Sequence, residues 1–286
     1  MKYVEKKIAG QLLKIETGRI ARQSNGSVLV TYGDTIVLAT VNSAKEARED
    51  VGFFPLQVEY REKHYAGGKI PGGFFKREAR PGEHEILTSR VTDRPIRPLF
   101  PKGFKKETQV MITVLQSDGE NNPDVLAGVG ASAALVTSTI PWNGPIASVR
   151  VCRIDNKFLI NPTRLEVENS DIEMIVSGNK ETVVMVEGEA EGAKESEILE
   201  ALKEAHTVIK EIIEMQIELA KKLNVVKDNF EIIEPNSKIV KSIEKIVGNK
   251  IKEIVQITEK SKRSESKEIL VSEVLESLSE IYPDNE

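Results

Sequence analysis

Between residues 11 and 43 the apolar positions fall in short runs that suit extended chain. QLLKIETGRIARQSNGSVLVTYGDTIVLATVNSA is rich in Val, Ile, Leu and Thr and is cut by Ser-Asn-Gly and Tyr-Gly-Asp, which mark turns between strands. Gly33-Asp34, between SVLVTY and TIVLATV, predicts a hairpin connection. Residues 52–60 are short and extended. From Glu83 the pattern becomes helical, with acidic residues in the first turn, and Pro95 and Pro98 are expected to end it. Residues 107–117 return to a strand pattern. Residues 123–140 open with Asn-Pro-Asp and continue in small and apolar residues, which predicts a tightly buried helix. Strands are predicted at 146–154, 157–161, 171–177 and 181–187. Beyond Lys194 the period is helical: Ile198, Leu202, Ala205, Ile209, Ile212, Met215 and Leu219 recur at spacings of three and four and give one apolar face to lay on a sheet. The pattern breaks over 224–237. Two charged amphipathic segments follow, 238–247 and 250–280, with too little apolar surface for a domain stable by itself. This reads as the start of a helical unit on a truncated chain.

Composition narrows the classes. The chain has 286 residues, 40% of them hydrophobic, so a sizeable core is available. No apolar run reaches the length that spans a bilayer, and MKYVEKKIAG contains no secretory h-region. The single cysteine, Cys152, rules out an internal disulfide and suits a reducing compartment, so a cytoplasmic location is expected.

Charge changes the picture more. The formal net charge is −5, yet residues 61–106 hold twelve Lys and Arg against five Asp and Glu. A basic segment on an acidic body is the footprint expected for a polyanionic partner, although a solvated loop with no partner has the same composition. Within it, PGGFFKREARPG at 71–82 sets Phe74 and Phe75 in a glycine-rich loop and follows them with Lys76, Arg77 and Arg80. Single-stranded nucleic acid is held by rings that stack on bases and cations that follow phosphates. Arg90, Arg94 and Arg97 come next, spaced by four and three, and share one face wherever helix persists past Pro95. The bland alternative buries Phe75 and pairs the arginines with Glu83, Glu85 and Asp93.

Other candidates are weaker. GVGASA at 128–133 fits a dinucleotide fingerprint in letters, but its glycines fall inside the predicted helix and not in the turn before it. Asp171 and Glu173, two apart on a strand, face one side, where they would hold a divalent cation, serve acid–base chemistry, or simply face solvent. His64, His84 and His206 lack metal-ligand spacing, so no zinc site is expected.

FFKREARPGEHEILTSRVTDRPIRPLFPKGF, with VTYGDTIVLATV, NNPDVLAGVGASAAL, IPWNGPI and INPT in the same order, resembles the first ribonuclease PH-like core of bacterial polynucleotide phosphorylases. The resemblance covers residues 1–225 and leaves 226–286 as the start of that family's all-helical linker. It implies an α/β fold with a β-α-β core of mixed sheets packed with helices, followed by a small incomplete all-α segment. It further implies a homotrimeric ring that degrades single-stranded RNA from the 3′ end, using inorganic phosphate as co-substrate and Mg²⁺, and releasing nucleoside diphosphates. Partners in a larger RNA-degradation assembly are possible in such a family, and no membrane association is implied.

By position the resemblance assigns RNA gripping to Phe74, Phe75, Lys76, Arg77, Arg80, Arg90 and Arg94, with Arg97 continuing their spacing. Lys76 stands where the family carries arginine, which keeps the charge and loses the bidentate fork. The family's active centre lies in the second core. In a catalytic core, serines before the small-residue helix bind phosphate and an Asp-x-Asp-x-Lys pattern follows. Here those positions are Pro123 and Asp124, and Asp171, Glu173 and Ile175, so this core is expected to have no catalytic residues or metal of its own. Two alternatives stand beside this reading: a self-sufficient Mg²⁺-dependent nuclease using Asp171 and Glu173, and a non-catalytic scaffold that binds RNA or another protein.

Overall fold

A computed structural model describes residues 1–47, 52–74, 76–78, 80–230 and 236–282, without the side chain of Glu280. The chain divides into two compact units, Met1–Phe230 and Glu231–Glu286.

The first unit holds two sheets. Strands β1 (Lys2–Ile8), β2 (Gln11–Thr17), β3 (Gly26–Tyr32), β4 (Thr35–Ser43), β5 (Leu56–Glu62) and β6 (Thr108–Gln116) form a six-stranded sheet in the order β1-β2-β3-β4-β6-β5. Every pairing in it is antiparallel except β5 with β6. Parallel neighbours need a crossover, and helix α1 (Glu83–Ile96) supplies it, so β5-α1-β6 is the expected β-α-β unit. The predicted hairpin at Gly33-Asp34 joins β3 to β4, with Gly33 at φ +58, where a side chain is strained. The second sheet is antiparallel, in the order β10-β9-β7-β8, from β7 (Ala147–Ile154), β8 (Lys157–Ile160), β9 (Ile172–Gly178) and β10 (Val183–Ala190).

Helix α2 (Pro123–Thr137) contacts strands of both sheets, and its residues from Pro123 to Val136 are buried. A helix hydrophobic on all sides needs such an environment. Its small residues set the approach distance. A Cβ on Gly128 would lie 2.3 Å from Ser148 Oγ of β7, and one on Gly130 3.0 Å from Ala39 of β4. The glycines of GVGASA therefore serve packing, inside the helix. Helix α4 (Glu195–Leu223) lays its predicted apolar face on β7, β9 and β1. Buried Gln216 of α4 accepts from Ser132 Oγ of α2 at 2.6 Å and donates to Ile146 O at 2.8 Å, so the two helices and the start of β7 share one satisfied polar network. The short helix α3 (Arg164–Val167) lies between β8 and β9.

Helix α1 departs from expectation at its end. It runs through Pro95 to Ile96, and a 3₁₀ turn, Arg97–Leu99, completes it. Trp142 Nε1 donates to the Ile96 carbonyl at 3.0 Å, which satisfies one of the acceptors a helix end leaves open.

The second unit contains α5 (Ser237–Val247), α6 (Lys250–Val255) and α7 (Lys260–Ile281). The predicted segment 250–280 is thus two helices, parted before Glu259, which takes the N-cap position of α7. Asn236 caps α5 by accepting from Lys238 N at 3.0 Å.

The Gly128 contact generates a direct test. Gly128→Ala should destabilise the first unit by about 1–3 kcal/mol through overpacking, since the nearest obstacle is the short, buried Ser148 side chain. Urea denaturation measures it, and wild-type stability in the variant would show that α2 and β7 can separate without cost.

Candidate functional site

Beyond β5 the chain makes a 3₁₀ turn, His64–Gly67, and then the loop that leads to α1. Gly68 and Gly73 take left-handed backbone (φ +66 and +74), and Lys76 does so at φ +50 despite its side chain. Phe74 is 93% exposed, and Lys76, Arg77 and Arg80 are exposed with it. Phe75 lies outside the described residues. The base of the loop is tied by a residue that the pattern did not single out. Glu78 accepts from Lys63 Nζ at 2.5 Å and from His64 N at 3.1 Å, and Lys63 chiefly holds the Glu78 carboxyl below the ordinary carboxylate range.

The start of α1 is fixed by Glu85, which reaches back to Gly82 N at 2.6 Å and accepts from Glu62 N at 2.9 Å. Arg90 and Arg94, four apart, are both exposed. Arg94 meets Glu187 of β10 at 2.7 Å, an exposed pair of the kind worth about 0–1 kcal/mol. Arg97 is placed differently. Its guanidinium donates to Asp93 at 2.8 Å and to the carbonyls of Phe54 and Leu56 at 3.2 and 3.0 Å, so its fork holds the chain entering β5. Several acids of the basic segment are engaged in the same way: Glu78 faces Lys63, Glu85 faces Arg61, and Asp93 faces Arg97. The cations of the loop and Arg90 are left at the surface.

A cleft of about 540 Å³ opens beside α1, between the first turn of α2 and strands β9 and β10. Its centre is Arg150 of β7, 9% exposed, held between the carboxylates of Asp124 and Glu173. Asp124, 7% exposed, sits second in α2 and also accepts from Val125 N at 2.7 Å. A helix N-terminus favours an anion, and here a side-chain carboxylate of the chain itself is that anion. His84, at the rim, approaches Glu62 Oε1 at 3.3 Å, and Tyr60 OH donates to the same oxygen at 2.6 Å. The Glu62 carboxylate raises the His84 imidazole above its ordinary value. The turn before α2 is stiffened by Asp118, which accepts from Asn121 Nδ2 at 2.6 Å and from the backbone of Asn121 and Glu120. Burial alone would raise its carboxyl, and these hydrogen bonds outweigh that and bring it to about 2.

This arrangement does not fit the groups that a catalytic core would hold. Pro123 offers no N–H, and Asp124 places negative charge at the position where the resemblance would have a phosphate-binding serine. Asp171 and Glu173 do not form the same-face pair that their spacing suggested. Asp171 precedes β9 and is bound at 2.6 Å by Arg153, which also meets Glu197 of α4 at 2.9 Å, while Glu173 turns to Arg150. Ile175 lines the cleft where the family pattern has a cation. Among the described residues no group of three His, Cys, Asp or Glu is placed to hold a metal, and His64, His84 and His206 each have a separate partner.

Arg150 was not singled out from the sequence, although a charged residue inside the apolar run ASVRVCRI signals a buried partner. Its environment makes a prediction. Asp124→Ala should cost about 3–5 kcal/mol by leaving the buried guanidinium underpaired, whereas Asp171→Ala, at the surface, should shift the denaturation midpoint far less. Equal, small shifts in both variants would mean that Arg150 finds water in the cleft.

Comparison with known proteins bears on this geometry. Residues 10–141 match the model of the 3′ exoribonuclease family, domain 1, and residues 144–208 match domain 2 of the same family. Among curated proteins, the polyribonucleotide nucleotidyltransferase of Geotalea daltonii is 47% identical over 281 residues, 98% of this chain and 40% of the relative. The enzymes of that name from Thermomicrobium roseum (47%, covering 94% and 34%) and Heliobacterium modesticaldum (43%, covering 100% and 40%) are comparable. The chain thus spans about 40% of the length of the first of these relatives. A solved structure described as the Archaeoglobus fulgidus exosome with RNA bound to the active site superposes with a TM-score of 0.55 at 22% identity, covering 70% of this chain and 87% of the other, and shows a shared fold. With two successive domain models of one family matched over more than half of its length, the chain belongs to the 3′ exoribonuclease family.

Proposed function

We propose that this chain is the RNA-gripping and assembly portion of a phosphate-dependent 3′-to-5′ exoribonuclease that degrades single-stranded RNA to nucleoside diphosphates in mRNA turnover, and that this core has no active centre. The observation that carries the reading is the loop before α1. It presents the exposed Phe74 ring with Lys76, Arg77 and Arg80, while Glu78, Glu85 and Asp93 face other cations. Rings and cations so arranged suit bases and phosphates without regard to sequence. Arg90 and Arg94 extend the charge along α1.

The relatives' printed name, polyribonucleotide nucleotidyltransferase, supports the reaction class. Under this reading, phosphate and Mg²⁺ are bound elsewhere in a longer protein, a homotrimer brings the loops of three chains round one RNA strand, and the setting is the cytoplasm, with room for partners in a degradation assembly. Among the described residues no helix is long and apolar enough to cross a membrane. A metal-dependent nuclease built on Asp171 and Glu173 gains no support, since each carboxylate is committed to a different arginine.

The test is a salt titration of RNA affinity. The slope of log affinity against log salt scales as about 0.7 per phosphate neutralised on a single strand. Arg77→Ala with Arg80→Ala should therefore flatten the slope by about 1.4. Phe74→Ala should weaken binding by about 1–3 kcal/mol with little change in slope. Wild-type affinity and slope in all these variants would remove the loop from RNA recognition.

A further inference from the structure

The basic segment contains a second constellation that the loop does not use. At the other end of α1, the residues entering β5 and the turn after the 3₁₀ turn enclose a pocket of about 280 Å³. Its floor is aromatic. Phe54 packs on Phe100 with centroids 4.6 Å apart and on Phe104 at 5.5 Å, and Arg97 stands 5.9 Å over the Phe54 ring. The hydrogen bonds from Arg97 to the Phe54 and Leu56 carbonyls fix this floor, so Arg97 acts here as a positioning residue. Phe53 at the rim is 69% exposed. Among the described residues every charged one lining the pocket is a cation, Arg97, Lys102 and Lys105, and the two lysines are exposed. Gly103 between them takes φ +80, with nothing within 4 Å of where its Cβ would be, which leaves the mouth open.

A large exposed ring beside an aromatic floor is costly in water unless something covers it, and the exposed Lys102 and Lys105 at the rim favour an anion. A nucleotide has both parts, a flat apolar base and a phosphate. We propose that this pocket is a second contact for single-stranded RNA, holding one nucleotide with its base against Phe53 and Phe54 and its phosphate between Lys102 and Lys105. Helix α1 has 14 residues, so the loop and the pocket stand about 21 Å apart along its axis, with Arg90 and Arg94 on the exposed stretch between them. A strand lying along α1 would then meet rings at both ends and cations throughout.

This inference rests on the RNA-binding reading above, and the experiment separates the two. Labelled single-stranded oligoadenylates of about 4 and about 16 nucleotides, within the range of known single-strand sites, would be titrated against the 286-residue chain by fluorescence anisotropy. The variants are Phe53→Ala with Lys102→Glu and Lys105→Glu, a milder Lys102→Ala with Lys105→Ala, and Arg77→Ala with Arg80→Ala, each checked for a wild-type melting curve. The pocket variants should lose tenfold or more in affinity for the longer RNA, flatten its salt slope by about 0.7, as expected for one phosphate, and add to the effect of the loop variant. Weakening by the loop variant alone would overturn the pocket and leave the RNA reading standing. No weakening by any variant would overturn both. Adenosine monophosphate that fills the pocket as well as the tetranucleotide does, with no gain for the longer strand, would assign it to free nucleotides and overturn the strand contact. A pocket variant that changes only the sedimentation coefficient would make the patch a contact between copies.

Discussion

The buried guanidinium of Arg150 constrains everything around it. It sits on a central strand of the smaller sheet at 9% exposure, so it needs negative charge within reach, and Asp124 and Glu173 provide it. That demand decides what stands at the start of α2 and which way Glu173 turns. It also places a carboxylate at the helix end where a phosphate-binding core would keep hydroxyl and N–H donors. Replacing one carboxylate alone would leave a buried charge uncompensated. The ion triad therefore holds the sheet to the helix, and in the proposed reading it also disfavours an anionic co-substrate in the cleft.

The face proposed to grip RNA depends on a second set of ion pairs. Residues 61–106 gather cations in excess, and three of the five acids among them are spent on internal ties: Glu78 on the base of the loop, Glu85 on the first turn of α1, Asp93 on Arg97. Each tie fixes backbone near an exposed cation without neutralising it. Helix α1 joins the two regions. One side meets β5, Arg94 meets Glu187 at the edge strand β10, and its first turn borders the cleft. Displacing the helix would disturb loop and cleft together.

Much of the fold was legible in the sequence. Strand alternation located the β3-β4 hairpin, the small-residue run located α2, and three-four spacing located α4, because each signal is local and its burial follows from its period. The end of α1 was less legible, since its last turn is held by Trp142, a residue 46 positions away whose indole reaches the Ile96 carbonyl. The site divided in the same manner. The exposed loop cations followed from Gly and Pro punctuation. Partner choice did not: the spacing of Asp171 and Glu173 says nothing of Arg150 and Arg153, which lie on another strand. Arg97 shared the spacing of Arg90 and Arg94, but the carbonyls of Phe54 and Leu56 claimed it, and only the tertiary fold brings them there.

The proposed core grips RNA and does no phosphorolysis. Incubating the folded chain with single-stranded RNA, Mg²⁺ and inorganic phosphate and measuring nucleoside diphosphate release decides whether it does. No release above the protein-free control, from protein that binds the RNA, is the predicted result. Release that stops when phosphate is withheld would contradict it, and would mean that the cleft around Asp124, Arg150 and Glu173 admits phosphate after all.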